Sequence, residues 1–191
     1  MAAPSIAGTN TTVGGTGVQN KVCNLPASIA SGDLLLLLLR SAAAYTHTTP
    51  TGWTPLLLND VSDPSDDITS LWYRQADGTE GATVTVSCTD TRRFVSLSWR
   101  ITGHVNPATQ APEVATATGS GTTPDPPTLT PTGGAKDYLW LALAGRQDRH
   151  TVSSYPTSYT LNQISAINTG SGAGNCGTAG AGQQLNAASE N

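Results

Sequence analysis

The stretch Asp33-Leu34-Leu35-Leu36-Leu37-Leu38-Leu39-Arg40 decides the fold. Its six leucines are apolar on every side, so no face of the segment can lie against water. A strand covered on both faces has such an unbroken apolar run, whereas a half-exposed strand alternates. A helix is the alternative, because leucine and Ala42-Ala43-Ala44 are good helix formers and Asp33 could cap one. The flanking sequence lacks the amphipathic period needed to cover such a helix, so we predict a central β-strand over Leu34–Leu39.

The composition favours a single all-β domain. Of the 191 residues 12% are charged, and 20 are glycine and 12 are proline. This length is enough for one well-buried domain, and the abundance of turn-forming residues is typical of a β protein with long loops. Short strand patterns recur with turn residues between them, and no stretch has a helical period. We therefore predict a jelly-roll-like antiparallel β-sandwich with long Gly/Thr/Pro-rich loops.

Several further strands are predicted from alternation of apolar and polar residues. The clearest is Ala82–Cys88, in which apolar residues alternate with threonine and serine. We expect it to form a hairpin with the strand predicted at Ile68–Arg74. Other predicted strands cover 19–25, 53–58, 93–102 and 137–144. The predicted core consists of Leu34, Leu36, Leu38, Trp53, Trp72, Val84, Val86, Trp99, Ile101, Leu139 and Leu141.

The two ends of the chain lack a clear strand pattern. Residues 1–17 are small and polar and are interrupted by glycines, which predicts a flexible or docking N-terminal arm, with a loosely held first strand as the alternative. Glycines crowd the sequence after residue 168, so we predict a Gly-rich C-terminal tail of doubtful order over 168–191. The β-sandwich domain is predicted to span 18–167.

The charge and the apolar runs exclude several classes of partner. The net charge is −4 and the pI is about 5.1, so we expect no nucleic-acid partner and no anionic membrane surface. The longest apolar run is far shorter than the ~20 residues of a spanning helix, so no membrane segment is predicted. The first residues, Met1 to Ser5, have neither the basic nor the apolar region of a secretion signal.

The cysteines and glycines carry no catalytic or metal-binding signature. The three cysteines are widely spaced and include no Cys-x-x-Cys pair, which argues against a disulfide framework or a zinc knuckle. We expect free thiols in a reducing cytoplasm, with a single disulfide as the alternative; the cysteines are Cys23, Cys88 and Cys176. The glycine run 170–182 lacks the βαβ unit and the lysine of a phosphate-binding loop. We predict no catalytic residue and no cofactor.

The acidic loop between residues 59 and 67 is the only cluster with ligand chemistry. Carboxylate oxygens are the ligands that Ca²⁺ takes, but their spacing does not match an EF-hand, so a solvated loop is the main interpretation. The calcium candidates are Asp60, Asp63, Asp66 and Asp67. Glu80, which follows the Asp77-Gly78 turn, is expected to be a solvated or turn-capping carboxylate rather than a catalytic one.

The histidines and tryptophans also favour ordinary structural roles. The histidines are far apart in predicted loops, so we expect solvated side chains rather than zinc ligands; they are His47, His104 and His150. The tryptophans occupy core-type positions in the strand patterns, which favours packing over a sugar-stacking platform. They are Trp53, Trp72, Trp99 and Trp140.

Several sequence blocks follow one another along the chain: LPASIASGDLLLLLLR (25–40), PTGWTPL (50–56), SLWYRQADGTEGATVTV (70–86), SLSWRITG (96–103), TPDPPTLTPTGGAKDYLWLALAG (123–145) and YPTSYT (155–160). Their order resembles that of a family of bacteriophage and prophage virion proteins. The similarity runs from about Leu25 to Tyr159 and implies a β-sandwich structural subunit of a phage particle, without enzymatic activity. Family members often continue into a further strand block, so a C-terminal strand is expected to be missing or supplied by a partner.

On this basis we expect a non-enzymatic virion protein, either a capsid (head) decoration or a fibre/spike subunit at the particle surface, assembled in the host cytoplasm. Its partners would be the major capsid protein or other virion proteins, and it would form a homo-oligomer, with a trimer favoured. The N-terminal arm and the glycine-rich tail are expected to carry the docking. The alternative is a carbohydrate- or receptor-binding tail component with a host surface glycan as its partner. A hydrolase is the third hypothesis, and no catalytic constellation supports it.

Overall fold

The computed structural model describes residues 3–16, 19–42, 46–61, 67–89, 91–119, 125–147, 150–169 and 174–191. These residues form an all-β fold in which every strand pairing is antiparallel, as predicted, and none of them lies in a helix that could cross a membrane. The arrangement is compatible with a jelly-roll-like β-sandwich. The strands are β1 (Ser5–Gly14), β2 (Asn20–Asn24), β3 (Leu34–Ala42), β4 (Thr54–Val61), β5 (Asp67–Gln75), β6 (Thr83–Ser87), β7 (Phe94–Thr102), β8 (Lys136–Arg146), β9 (Leu161–Ile167) and β10 (Gly177–Ala187).

The leucine run forms the middle strand of the largest sheet. This five-stranded sheet has the order β1-β7-β3-β5-β4. Leu37 of β3 lies opposite Trp72 of β5 on one side and Ser98 of β7 on the other. All six leucines are at most 6% exposed. The predicted central strand is therefore confirmed, and the helical alternative is wrong.

The leucines of β3 divide between two hydrophobic cores, because alternate side chains of a strand point to opposite faces. The odd-numbered leucines pack with Trp72 and Val86 on the side of the two-stranded sheet β2-β6. The even-numbered leucines pack with Leu97 and Trp99 on the side of the three-stranded sheet β8-β10-β9. The five-stranded sheet is thus covered on both faces, which explains why its middle strand needs no polar residue over six positions.

The predicted core residues occupy these two cores. Val84, Leu139 and Leu141 are partly buried and pack against core residues, as is usual for side chains on the outer, smaller sheets. The other eight are at most 7% exposed: Leu34, Leu36, Leu38, Trp53, Trp72, Val86, Trp99 and Ile101.

The predicted hairpin between Ile68–Arg74 and Ala82–Cys88 is wrong. Strand β6 pairs with β2 instead, and Val84 lies opposite Cys23. Strand β5 has no free edge for β6, because β3 and β4 occupy its two sides. The chain therefore leaves the middle sheet after β5 and enters a covering layer, where the half-exposed pattern of β6 has a solvent face.

The predicted N-terminal arm (1–17) contains an edge strand. Strand β1 pairs with β7 along its length. Two asparagine side chains make further hydrogen bonds that hold β1 in place. Asn10 Nδ2 donates to the Leu25 carbonyl at 2.8 Å, and Asn168 Nδ2 donates to the Gly14 carbonyl at 2.5 Å. The alternative of a first strand is therefore the correct one, because the ladder uses backbone groups and small polar side chains are sufficient at a sheet edge.

The predicted glycine-rich tail (168–191) contains β10, the central strand of the three-stranded sheet. It pairs with β8 on one side and with β9 on the other. A Cβ placed on Gly180 would lie only 2.6 Å from Cζ2 of Trp99, so glycine lets the two sheets approach each other. The domain therefore does not end at residue 167, because β10 belongs to one of its sheets.

Candidate functional site

A buried ion pair connects the middle sheet to the three-stranded sheet. Arg40 Nε donates to Asp67 Oδ2 at 3.2 Å and to the Arg146 carbonyl at 3.1 Å, and Nη1 donates to Thr69 Oγ1 at 2.7 Å. The Arg40 and Asp67 side chains are 4% and 2% exposed. These bonds join strands β3, β5 and β8, and the burial of both side chains closes the pair off from solvent.

The structure describes two of the four calcium candidates. Asp67 forms the ion pair with Arg40, and Asp60 lies on β4 opposite Thr69. Asp63 and Asp66 lie outside the described residues. Within the described part of the chain, no group of three or more His, Cys, Asp or Glu side chains could hold a metal ion.

His47 is buried, which contradicts its prediction as a solvated histidine. Its Nε2 lies 2.8 Å from Ser41 Oγ and its Nδ1 lies 3.0 Å from Ser70 Oγ. The His47 backbone N–H donates to Asn59 Oδ1 at 2.6 Å. A serine beside a histidine is the beginning of a nucleophile–base pair, but His47 is 2% exposed and both serines are fully buried. The cluster therefore joins β3, β5 and the loop before β4, and its partners are too distant in sequence to give a local signal.

The other two histidines lie nearer the surface. His104 is partly exposed, and its ring nitrogens lie 2.8 Å from the carbonyl oxygens of Val105 and Gly32. His150 is exposed. The three histidines therefore do not meet at one site.

All four tryptophans are buried, as the packing prediction requires. Their exposed fractions are 7% for Trp53, 0% for Trp72 and Trp99, and 5% for Trp140. Trp140 is on the outer side of the three-stranded sheet, where it packs with Tyr159 in a separate cluster. No tryptophan therefore offers an open ring face on which a sugar could stack.

The three cysteines are buried free thiols, as predicted. Burial raises the pKa of Cys23 to about 12, against the opposing effects of a hydrogen bond with Ser96 and the charge of Lys21. Burial also raises the pKa of Cys176 to about 12, and the nearby Asp67 charge adds to the rise. Thiols of this kind are poor nucleophiles, because the thiolate is the reactive form.

We expect the native thiols to resist modification. At pH 8, Cys23 and Cys176 should react with a disulfide reagent roughly a thousandfold more slowly than free cysteine, because their thiolate fraction is that much smaller. A colorimetric thiol titration measures this rate. All 3 cysteines should react rapidly after addition of denaturant. Reaction of either thiol in the folded protein at the rate of free cysteine would contradict its burial.

The turn between β5 and β6 is held by a charged network. Arg74 Nη2 donates to Asp77 Oδ2 at 2.9 Å, and Arg74 Nε lies 2.9 Å from Glu80 Oε1. The two oxygens of Glu80 also accept the backbone N–H groups of Asp77 and Gly78, each at 3.0 Å. Glu80 is only 4% exposed. It is therefore the turn-capping carboxylate that the sequence predicted, and Arg74 completes the cap.

This turn forms one wall of a surface cleft of about 220 Å³. The turn at 50–53 forms another wall, and it packs closely on the network, since a Cβ on Gly52 would lie 2.8 Å from Arg74 Nη1. Gly52 has φ +80°, which also favours glycine. The start of β6 completes the cleft. The polar and aromatic lining residues are Thr51, Trp53, Arg74, Thr79, Glu80 and Thr83.

Comparison with family models, curated proteins and solved structures finds no match to this chain. Any function of the cleft therefore has to be inferred from its own geometry. The sequence predicted the turn and a solvated or turn-capping Glu80, but it did not predict the cleft, because the three walls come from separate segments. Arg74 is the residue that the sequence missed, and its spacing of three and six residues from Asp77 and Glu80 was the available signal.

Both carboxylates of the network favour the ionised form. The hydroxyl and the backbone N–H of Thr79 lower the pKa of Asp77, and Arg74 adds to the effect. Burial alone would raise the pKa of Glu80, but backbone N–H donors of Asp77, Glu80 and Gly78, together with the Arg74 charge, hold it below its usual value. The network therefore contains two negative charges and one positive charge at neutral pH.

Replacing Glu80 with glutamine should destabilise the protein in a pH-dependent manner. Because the folded-state pKa of Glu80 is lower than its unfolded value, its stabilisation is present above the unfolded pKa and is lost as pH falls. We expect Glu80→Gln to lower the free energy of unfolding by about 1–2 kcal/mol at pH 7, and the difference from wild type to shrink below pH ~4.5. Urea unfolding at several pH values measures it, with Asp125→Asn as an exposed control. A difference independent of pH would show that Glu80 does not act through its charge.

Proposed function

We propose that this protein is a non-enzymatic structural subunit of a bacteriophage particle, namely a capsid decoration or a fibre/spike subunit at the particle surface. The observation that carries the proposal is that the polar clusters described above bond to groups of the fold itself and hold it together. Arg40 is paired with Asp67, His47 is bonded to two serines, and Arg74 caps a turn with Glu80. These groups stabilise a rigid β scaffold, which suits a protein whose role is mechanical.

The sequence blocks that resemble phage virion proteins support the same proposal through what they do in the fold. In the block at 25–40, the Ala30 N–H donates to Asp33 Oδ2 at 2.9 Å and forms the turn into β3. The block at 70–86 contains the Arg74 network and leads into β6. The blocks therefore specify turns and core strands, which is the kind of similarity expected among structural subunits.

We assign attachment to the surface of the folded domain rather than to flexible terminal segments. The reason is that the first and last strands, β1 and β10, are paired within the sheets. Strand β4 is the other edge of the middle sheet. It carries Pro55, two irregularities of register and a positive φ of 55° at Asn59. Such features discourage uncontrolled strand addition. Neighbours in the particle, including the major capsid protein and the other copies of a trimer, would then be contacted mainly by side chains and loops.

The proposal is tested on purified particles of the phage or prophage that encodes the chain. Density-gradient fractions are analysed by quantitative mass spectrometry for this chain, the major capsid protein and a host cytoplasmic marker, with particles from a deletion strain as the background. We expect the chain to follow the capsid protein at a fixed ratio. A chain that remains with the cytoplasmic marker while particles sediment without it would refute the proposal. Sedimentation equilibrium of the isolated chain tests the trimer against the 19.6 kDa monomer.

A carbohydrate- or receptor-binding component is the second candidate, and one observation favours it. The buried tryptophans provide no stacking platform. However, the surface cleft beside the Arg74 network, called the Arg74 cleft below, presents hydroxyl groups and a charge-paired network to solvent. A glycan-binding role and a particle-surface role are compatible with each other. They require separate tests, since the fold alone does not decide between them.

A further inference from the structure

The Arg74 cleft differs from the other polar clusters described above because it is open to solvent. Thr51, Thr79 and Thr83 are exposed on three different walls. Thr79 Oγ1 already donates to Asp77 Oδ1 at 2.5 Å and so offers only its lone pairs to a ligand, whereas the hydroxyls of Thr51 and Thr83 can both donate and accept. Trp53 lies at the cleft with 7% of its surface exposed, so it contributes a ring edge rather than an open face.

The charges of the cleft argue against an ionic ligand. The Nε and Nη2 groups of Arg74 are already directed at Glu80 and Asp77, so an anion would meet two carboxylates beside a paired cation. A metal cation would have to compete for oxygens that already accept hydrogen bonds. Asp77 accepts the Thr79 N–H at 2.8 Å, and Glu80 accepts two backbone N–H groups. A neutral ligand avoids both costs.

The size of the cleft limits the ligand to a small molecule or to one unit of a larger one. Its volume of about 220 Å³ is below the ~300–1,000 Å³ of pockets that enclose drug-sized molecules. A nucleotide or a folded peptide segment would extend far beyond it. A single hexose ring, whose hydroxyls can each donate and accept a hydrogen bond, matches both the space and a lining in which two threonine hydroxyls can donate and all three can accept.

We propose that the Arg74 cleft binds one neutral sugar residue, as a free hexose or as the terminal unit of a glycan. This inference deepens the second candidate function and is independent of the proposed particle role. The threonine hydroxyls would contact the sugar, while Arg74, Asp77 and Glu80 hold the walls in place. The rigid network would keep the site formed before the ligand arrives, which lowers the entropy cost of binding.

The test uses the full chain and four neutral sugars: glucose, galactose, mannose and N-acetylglucosamine. Each is added at about 20 mM, a range suited to the millimolar affinities expected of a site this small. Saturation-transfer NMR detects binding, and amide shift changes of the protein locate it. Thr83→Val removes one hydroxyl from the cleft with little change of shape. Thr85→Val is the matched control, because Thr85 is also exposed on β6 but does not line the cleft.

We expect at least one sugar to bind, with shift changes at Thr51, Thr79 and Thr83. Thr83→Val should weaken its affinity by about fivefold, as for loss of one hydrogen bond, and Thr85→Val should leave it unchanged. Absence of saturation transfer to all four sugars would overturn the proposal, and so would shift changes located elsewhere on the protein. Equal effects of the two variants would also overturn it. None of these results bears on particle association, which the gradient experiment decides.

Discussion

Replacing Asp67 with asparagine should lower the free energy of unfolding by about 3–5 kcal/mol, because it leaves the buried Arg40 guanidinium without a counter-charge. The side chains are 2% and 4% exposed, so water cannot replace the lost carboxylate without opening the structure. Asparagine has nearly the same shape as aspartate. The loss of stability therefore measures the removal of the charge and not the creation of a cavity. Urea unfolding followed by far-UV circular dichroism measures the effect.

Two further variants separate this charge effect from a general loss of packing. The double replacement Arg40→Met with Asp67→Leu removes both charges and should recover most of the lost stability, since an apolar pair of similar volume costs no ion desolvation. Asp125→Asn at an exposed position should change the free energy of unfolding by less than about 0.5 kcal/mol. If Asp67→Asn were as mild as Asp125→Asn, the buried ion pair would not stabilise the fold in the manner described.

Replacing Gly180 with valine should destabilise the protein by about 3 kcal/mol through overpacking. A Cβ at this position would lie 2.6 Å from Trp99 Cζ2 and 3.0 Å from Leu143 Cδ2, and the valine methyl groups would extend further. Trp99 is fully buried, so it can move away only by displacing its own neighbours. Thermal and urea unfolding measure the loss.

A second-site change tests whether Trp99 is the cause. Trp99→Leu shortens the opposing side chain, so Gly180→Val should cost less in that background than in wild type, a non-additivity that a double-mutant cycle detects. Gly119→Val is the matched control, because nothing lies within 4 Å of a Cβ at Gly119. Simple additivity of the Gly180 and Trp99 changes would show that the two residues do not meet across the sheets.

The parts of the fold that sequence predicts well are those fixed by local composition. The leucine run requires cover on both faces whatever its neighbours are, so β3 could be predicted from Leu34–Leu39 alone. The turn at Asp77-Gly78 and the capping role of Glu80 are also local, because the donors and acceptors are within three residues. The buried tryptophans follow from their positions within strand patterns.

The parts that sequence did not predict depend on residues far apart in the chain. The partner of β6 is set by the fact that β3 and β4 already occupy both sides of β5. The glycines of β10 suggest disorder until Trp99 is known to lie above Gly180. The burial of His47 depends on Ser41 and Ser70. The cleft has the same origin, because its walls meet only after the sheets have formed.

Amide hydrogen exchange of β3, measured residue by residue by NMR, tests most directly whether the protein is organised around a strand covered on both faces. The amides from Leu35 to Leu39 lie in a strand paired on both sides, so they should exchange only through global unfolding, with an opening free energy equal to that from urea unfolding. Amides of the irregular segment 103–119 should exchange much faster. Exchange of the leucine amides as fast as that of 103–119 would contradict a central strand enclosed between two sheets.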